Sequence, residues 1–288
     1  MPRTPPSEVL YPVVLPDGAT FRVGVWEADD PLRPVLIVVP AMGAPVEYYR
    51  PFLTRLHRAG LSLVATDWRG HGRNEPLISR QTRFGYTQMV TDLVAMGHWT
   101  RDRFPSAPIF FLGHSLGGQL SLLTLAWYPQ LATGAILITA GSVYYRTYPR
   151  RLWTLAETQF AAGLATLWGV WPGKRWGFAD TEAAGVMRDW ARQARTGIYR
   201  PSQAPLDFES ALGNVFHPIL AISVDKDSLA PVEAIDHLCA KVPAATITRW
   251  HNTGDALNHF NWIRHCRPFI EQIIGWLDHQ MADTHPQP

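Results

Sequence analysis

The sequence predicts an α/β fold: a mostly parallel sheet with helices on both faces and one long helical insertion. Three observations predict it. Short all-apolar runs alternate with helix-periodic stretches, the pattern of successive strand–helix units. The alternation stops near residue 141 and resumes after 205. A glycine-rich turn carrying a serine falls between one of the apolar runs and the helix that follows it.

The chain opens on a hairpin. Val13-Val14-Leu15 runs into the turn signal Pro16-Asp17-Gly18, and Phe21 to Trp26 alternates in character beyond it. Val35 to Val39 is apolar throughout, as a strand covered on both faces must be. Glu47 to Ala59 places Tyr48, Phe52, Leu53 and Leu56 at helical spacing and stops at Gly60, a natural residue just past a helix end. Leu61 to Ala65 reads as the next strand. Tyr86 to Phe104 reads as a helix with Met89, Val90, Leu93, Val94 and Met96 on its apolar side. Strand Ile109 to Leu112 leads into a helix from about Ser115 to Tyr128, and Ala135 to Ile138 is a further strand. From about Gly141 to Pro205 only helical pieces are legible, rich in Trp, Tyr, Ala and Arg. The alternation then returns with strand Ile219 to Val224, helix Pro231 to Lys241, strand Thr246 to Trp250 and a final helix from about Ile263 to Met281. The expected organisation is a core in two parts, 1–140 and 206–288, around an inserted segment 141–205 that is too long for an ordinary loop.

Composition narrows the function. The 288 residues are long enough to bury a core without disulfides or metal. Basic and acidic residues nearly balance, 26 against 24, which leaves no electrostatic footprint for nucleic acid. Cys239 and Cys266 are the only cysteines, too few for a disulfide framework or a multi-cysteine zinc site, and they suit a reducing compartment. No apolar run of signal-peptide length follows Met1, and none reaches the ~18 residues of a membrane span. A cytoplasmic protein without integral membrane association, metal or cofactor is expected.

Gly113-His114-Ser115-Leu116-Gly117 matches G-x-S-x-G directly between a strand and a helix. A tight turn there lifts the serine oxygen above the sheet edge, and the helix N-terminus aims backbone N–H groups at developing negative charge. At these residues the chain resembles the α/β-hydrolase superfamily, over nearly its whole length outside the insertion. Thr66-Asp67-Trp68-Arg69-Gly70-His71-Gly72-Arg73 is similar to that superfamily's D-x-R-G-x-G segment, which implies a structural role for Asp67 and Arg69. The insertion looks like the lid of its esterase, lipase and peptidase-like branches.

The resemblance implies a chain order of serine, acid, histidine. Asp225-Lys226-Asp227-Ser228-Leu229-Ala230-Pro231 follows a strand and resembles the turn that carries the acid. The register favours Asp227, with Asp225 as the alternative. His259, in Asn258-His259-Phe260 ahead of the final helix, stands at the family's base position, with His251 as its competitor. His265 and His279 read as residues of the terminal helix face, and His114 as a residue that shapes the pocket floor. The oxyanion hole would use the amides of Leu116 and, by register, Met42 in the loop Pro40-Ala41-Met42-Gly43. Most relatives carry His-Gly in that loop, so its shape departs from theirs.

The inserted segment holds Trp153, Trp168, Trp171, Trp176 and Trp190, with nine basic residues against four acids. A tryptophan-rich cover over an apolar cleft suits an acyl or aryl group. The basic excess suits an anionic head group or a membrane surface, or simply solvates the far face. The expected activity is serine hydrolysis of an apolar, small-molecule carboxylic ester, thioester or lactone. An acyltransferase, a peptidase or amidase, or a non-catalytic ligand-binding protein are the alternatives. A +5 insertion is the wrong sign for an acidic anchor that holds a substrate amine.

Overall fold

A computed structural model describes residues 8–177, 179–254 and 257–284, so the Met1 to Pro6 opening lies outside the described residues. The hairpin forms from β1 (Val9–Val14) and β2 (Thr20–Trp26), in antiparallel register with Val14 opposite Thr20. β1 begins four residues before the predicted start. It is one of the two edge strands, mostly exposed, and it runs through Pro12, which an edge position tolerates. β3 (Val35–Val39) is buried along its whole length. A 3-10 turn over Val46–Tyr49 leads into α1 (Arg50–Arg58), and Gly60 takes φ +90° just beyond its end. β4 (Ser62–Ala65), α2 (Tyr86–Arg103), β5 (Ile109–His114), α3 (Leu116–Trp127) and β6 (Gly134–Ile138) follow as the sequence predicts.

The inserted segment contains α4 (Arg151–Trp168), β7 (Val170–Pro172), α5 (Gly173–Trp176), β8 (Thr181–Ala183) and α6 (Ala184–Thr196). The expectation of helical pieces alone is corrected here, because β7 and β8 pair antiparallel, Trp171 opposite Glu182. Each strand is three residues long and β7 ends in proline, so neither shows a two-residue period. A short α7 (Phe208–Leu212), capped by the Asp207 carboxylate, was also illegible. The core resumes with β9 (Pro218–Val224), α8 (Val232–Cys239), β10 (Thr246–Asn252) and α9 (Arg267–Thr284). The final helix is split: Asn261–His265 form a separate 3-10 turn and α9 starts after it. Pro268 has no N–H to bond back, so one continuous helix cannot run through it.

One eight-stranded sheet has the order β1-β2-β4-β3-β5-β6-β9-β10, antiparallel at β1–β2 and β2–β4 and parallel from β4 to β10. Its two faces take alternate residues. Ile37, Phe111 and Ala221 join the core that includes side chains of α2, α3 and α8, while Leu36, Phe110 and Leu220 join the core that includes α1 and α9. The loops after β3, β5, β9 and β10 all leave the carboxyl edge of the parallel strands. Residues far apart in sequence meet there, where ligands of open α/β sheets bind.

Candidate active site

Ser115 stands alone between β5 and α3 with φ +54° and ψ −120°, a backbone region that non-glycine residues rarely enter. Its N–H donates to the Ile138 carbonyl at 3.0 Å, and its own carbonyl accepts from the Gly118 amide at 3.0 Å, so both sides of the turn are pinned. The flanking glycines are spatial requirements. A Cβ on Gly117 would fall into the carbonyl oxygens of Val39 and Pro40, and one on Gly113 into the backbone of Gly118.

Asp227 and His259 come together. The His259 Nδ1 lies 2.8 Å from Asp227 Oδ2 and 3.1 Å from Oδ1. Because a carboxylate only accepts, Nδ1 carries the proton, which leaves Nε2 as the free ring nitrogen. Asp227 is itself held by the amides of Leu229 and Ala230, at 2.9 and 2.8 Å on Oδ1. Its side chain is fully buried, whereas that of Asp225 is 53% exposed. The two sequence alternatives, Asp225 and His251, face each other at 4.0 Å away from the cavity, and His251 bonds Ser223 Oγ. His265 lies in the 3-10 turn ahead of α9 and His279 on α9, both exposed.

The loop after β3 is tied down from three sides. The Tyr49 hydroxyl accepts from the Ala41 amide at 2.9 Å, Trp68 Nε1 donates to the Pro40 carbonyl at 3.0 Å, and the Ala44 amide donates to the Ala41 carbonyl. Neither the Met42 amide nor the Leu116 amide, at the first position of α3, finds an acceptor among the described residues. Asp67 and Arg69 brace this edge. The Asp67 carboxylate accepts from the amides of Val46 and Arg73, and Arg69 pairs with Asp92 and Asp17.

His114 does not shape the pocket floor. It is fully buried behind Ser115, where Nε2 donates to the His259 carbonyl at 2.9 Å and Nδ1 accepts from the Tyr49 hydroxyl at 2.7 Å. The carbonyl can only accept, so this assignment of the ring proton is forced. Burial and the neighbouring His259 push His114 well below the usual histidine range, and it stays neutral. Tyr49, buried and raised above the ordinary tyrosine range chiefly by desolvation, thus links the β3 loop to the His259 loop. Nothing in the sequence signals that role for Tyr49, which stands outside the periodic set Tyr48, Phe52, Leu53 and Leu56.

Ser115, His259, Met42 and Leu116 all line one cavity of about 650 Å³. Its other wall comes from the inserted segment, including Trp153, Phe160, Trp171, Trp176 and Trp190. Trp168 is not among the lining residues. Among the described residues no cluster of His, Cys, Asp and Glu could hold a metal ion, and no helix is long and apolar enough to cross a membrane.

A family model described as serine aminopeptidase, S33, matches residues 30–195, more than half of the chain. The chain belongs to that family. The chain is therefore an α/β-hydrolase, and the eight-stranded, mostly parallel sheet agrees with that. It is 29% identical over 142 residues to the monoglyceride lipase of Rattus norvegicus, covering 48% of this chain and 46% of that one. It is 29% identical over 112 residues to the monoacylglycerol lipase of Mycolicibacterium smegmatis, covering 39% of each. The chain thus spans about half the length, or less, of the curated relatives it matches. Among solved structures, DcsB in complex with its substrate analogue superposes with TM-score 0.70 at 14% identity, over 96% of this chain and all of that one. Brefeldin A esterase superposes with TM-score 0.65 at 16% identity, over 97% and 79%. At such identities these likenesses speak for the fold alone.

Proposed function

We propose that the protein is a serine hydrolase that cleaves a carboxylic ester, thioester or lactone of an apolar acyl or aryl substrate. The observation that carries this reading is the buried Asp227–His259 pair at 2.8 Å, with its free imidazole edge in the cavity that Ser115 enters from a strained turn. The lipase relatives support the same class. Ser115 Oγ attacks the carbonyl carbon as His259 Nε2 takes its proton, and the carbonyl oxygen becomes an oxyanion held by the Met42 and Leu116 amides. Collapse breaks the bond to the alcohol, which leaves with the proton from His259. A water then gives its proton to the same nitrogen and attacks the acyl carbon, releasing the acid and restoring Ser115. Asp227 orients the ring and stabilises its cationic form throughout. Segment 141–205 acts as the lid between core parts 1–140 and 206–288 and supplies the apolar wall.

The test is intact mass after treatment with a fluorophosphonate, together with turnover of short p-nitrophenyl esters. Wild type gains one adduct and Ser115→Ala gains none. His259→Ala and Asp227→Ala label slowly, and each loses about 10³-fold or more in kcat. A folded wild type that neither labels nor turns over these esters would overturn the reading.

A further inference from the structure

The inserted segment carries four acids, Glu157, Asp180, Glu182 and Asp189, among nine basic residues. Three of the four are paired: Asp180 with Lys174, Glu182 with His71, and Asp189 with Arg192. The Glu157 carboxylate makes no ion pair or hydrogen bond with any described residue. Of the Asp, Glu, Lys and Arg side chains among the described residues, it is also the one that lines the cavity. A segment with a basic excess therefore keeps its cations out of the pocket and turns one unneutralised carboxylate towards it.

The surroundings of that carboxylate are aromatic. Trp153, Glu157 and Phe160 follow each other at i, i+4 and i+7 on α4, so they form one stripe along the cavity wall. The Phe160 ring lies 6.0 Å from Trp176, edge on, and Trp176 lies 6.1 Å from Trp171. Aromatic faces carry negative quadrupole charge and attract cations within about 6 Å, and a carboxylate beside them adds Coulombic attraction. Two of these rings stand largely in water: Trp153 is 61% and Trp176 51% exposed.

From this juxtaposition we infer that the cavity recognises esters bearing an organic cation, a quaternary ammonium group above all, seated among Trp153, Phe160 and Trp176 against Glu157. The inference rests on the ester-hydrolase reading and narrows its substrate class. A quaternary ammonium needs no hydrogen bond, which matches a site of rings and one carboxylate. The carboxylate is exposed in the open cleft, so its share of the attraction falls as salt is raised.

Two matched pairs of substrates test it, each differing only in charge. Butyrylcholine is compared with neohexyl butyrate, which puts the group on the alcohol side. The p-nitrophenyl ester of γ-trimethylammoniobutyrate is compared with that of its tert-butyl isostere, which puts it on the acyl side. In wild type the cationic member of at least one pair has the higher kcat/KM, by about tenfold. In Glu157→Gln that ratio falls towards one, Glu157→Asp restores part of it, and Trp176→Leu lowers it. Equal or inverted ratios in wild type on both pairs would overturn the inference, as would a preference that Glu157→Gln leaves unchanged. Quenching of tryptophan fluorescence by tetramethylammonium, wild type beside Glu157→Gln, reads the cation site without turnover. Saturable quenching that Glu157→Gln abolishes, in a protein inert to the fluorophosphonate, would keep the site and overturn the hydrolase reading. No saturable quenching in a labelled, active protein would do the opposite.

Discussion

Asp227 and Asp225 are two residues apart, alike in chemistry, and opposite in surroundings. Asp227 accepts two loop amides and the His259 ring from a fully buried position, whereas Asp225 lies mostly in water beside His251. Replacing Asp227 by Asn keeps the shape but puts a donor where the ring needs an acceptor, which favours the wrong tautomer. Asp227→Asn is expected to lower kcat by about 10⁴-fold, and Asp225→Asn to leave it within about twofold. Ester turnover of the two purified variants checks this, and equal losses would return Asp225 to contention. In the sequence, Ser115 is picked out by its motif and Asp227 and His259 by the family resemblance. Tyr49 and His114 were not legible in the same way. Their contribution is a hydrogen-bond path between two loops distant in sequence, and neither residue type nor spacing encodes which loops meet. Glu157 stayed hidden for a related reason. The net charge of a segment does not say which of its side chains face the cavity.

At the scale of elements, the core strands were readable because each is buried on both faces and carries a run of apolar residues with no competing pattern. β7, β8 and α7 were not, since three to five residues hold less than two full periods of their element. The turn at Ser115 shows how strongly one element can depend on a residue without a side chain. Gly117 lies against the backbone carbonyls of Val39 and Pro40, which cannot swing aside as a flexible side chain would. Gly117→Ala must push α3 and the β3 loop apart, with an expected loss of about 2–4 kcal/mol. Gly163, on the exposed side of α4, is the control, because a Cβ there meets open space. Gly163→Ala is expected to gain about 0.5–1 kcal/mol from helix propensity. Thermal melts of the two variants should shift in opposite directions, and a neutral Gly117→Ala would show that the elbow has slack.

At the scale of the molecule, the inserted segment is fastened to the core by a buried charge pair. His71, in the loop after β4, and Glu182, on β8, are 8% and 1% exposed with His71 Nε2 3.1 Å from Glu182 Oε1. The oxygen lies off the ring N–H axis and Glu182 Oε2 has no partner, so attraction between charges holds the pair more than a well-aligned hydrogen bond. The other ring nitrogen, Nδ1, faces the Arg69 carbonyl at 3.1 Å, so both nitrogens face acceptors and the ring is protonated. Burial alone would lower its pKa, but the Glu182 carboxylate, with Asp180 beyond it, outweighs that and lifts it to about 9. Next to this pair the backbone of Ala179 and Asp180 fills the space where Gly43 would carry a Cβ, so the hairpin leans on the loop that holds Met42. A histidine raised from the ordinary 6.5 to about 9 contributes stability that is full below about pH 6.5 and lost as pH climbs through 9. His71→Gln and Glu182→Gln each strand a buried partner and should cost about 3–5 kcal/mol near pH 6.5, and the double variant less than their sum. Melting temperature of wild type and His71→Gln followed from pH 6 to about 10 is the measurement. The gap between them should narrow across that range, and a gap independent of pH would mean that packing, not charge, fastens the segment.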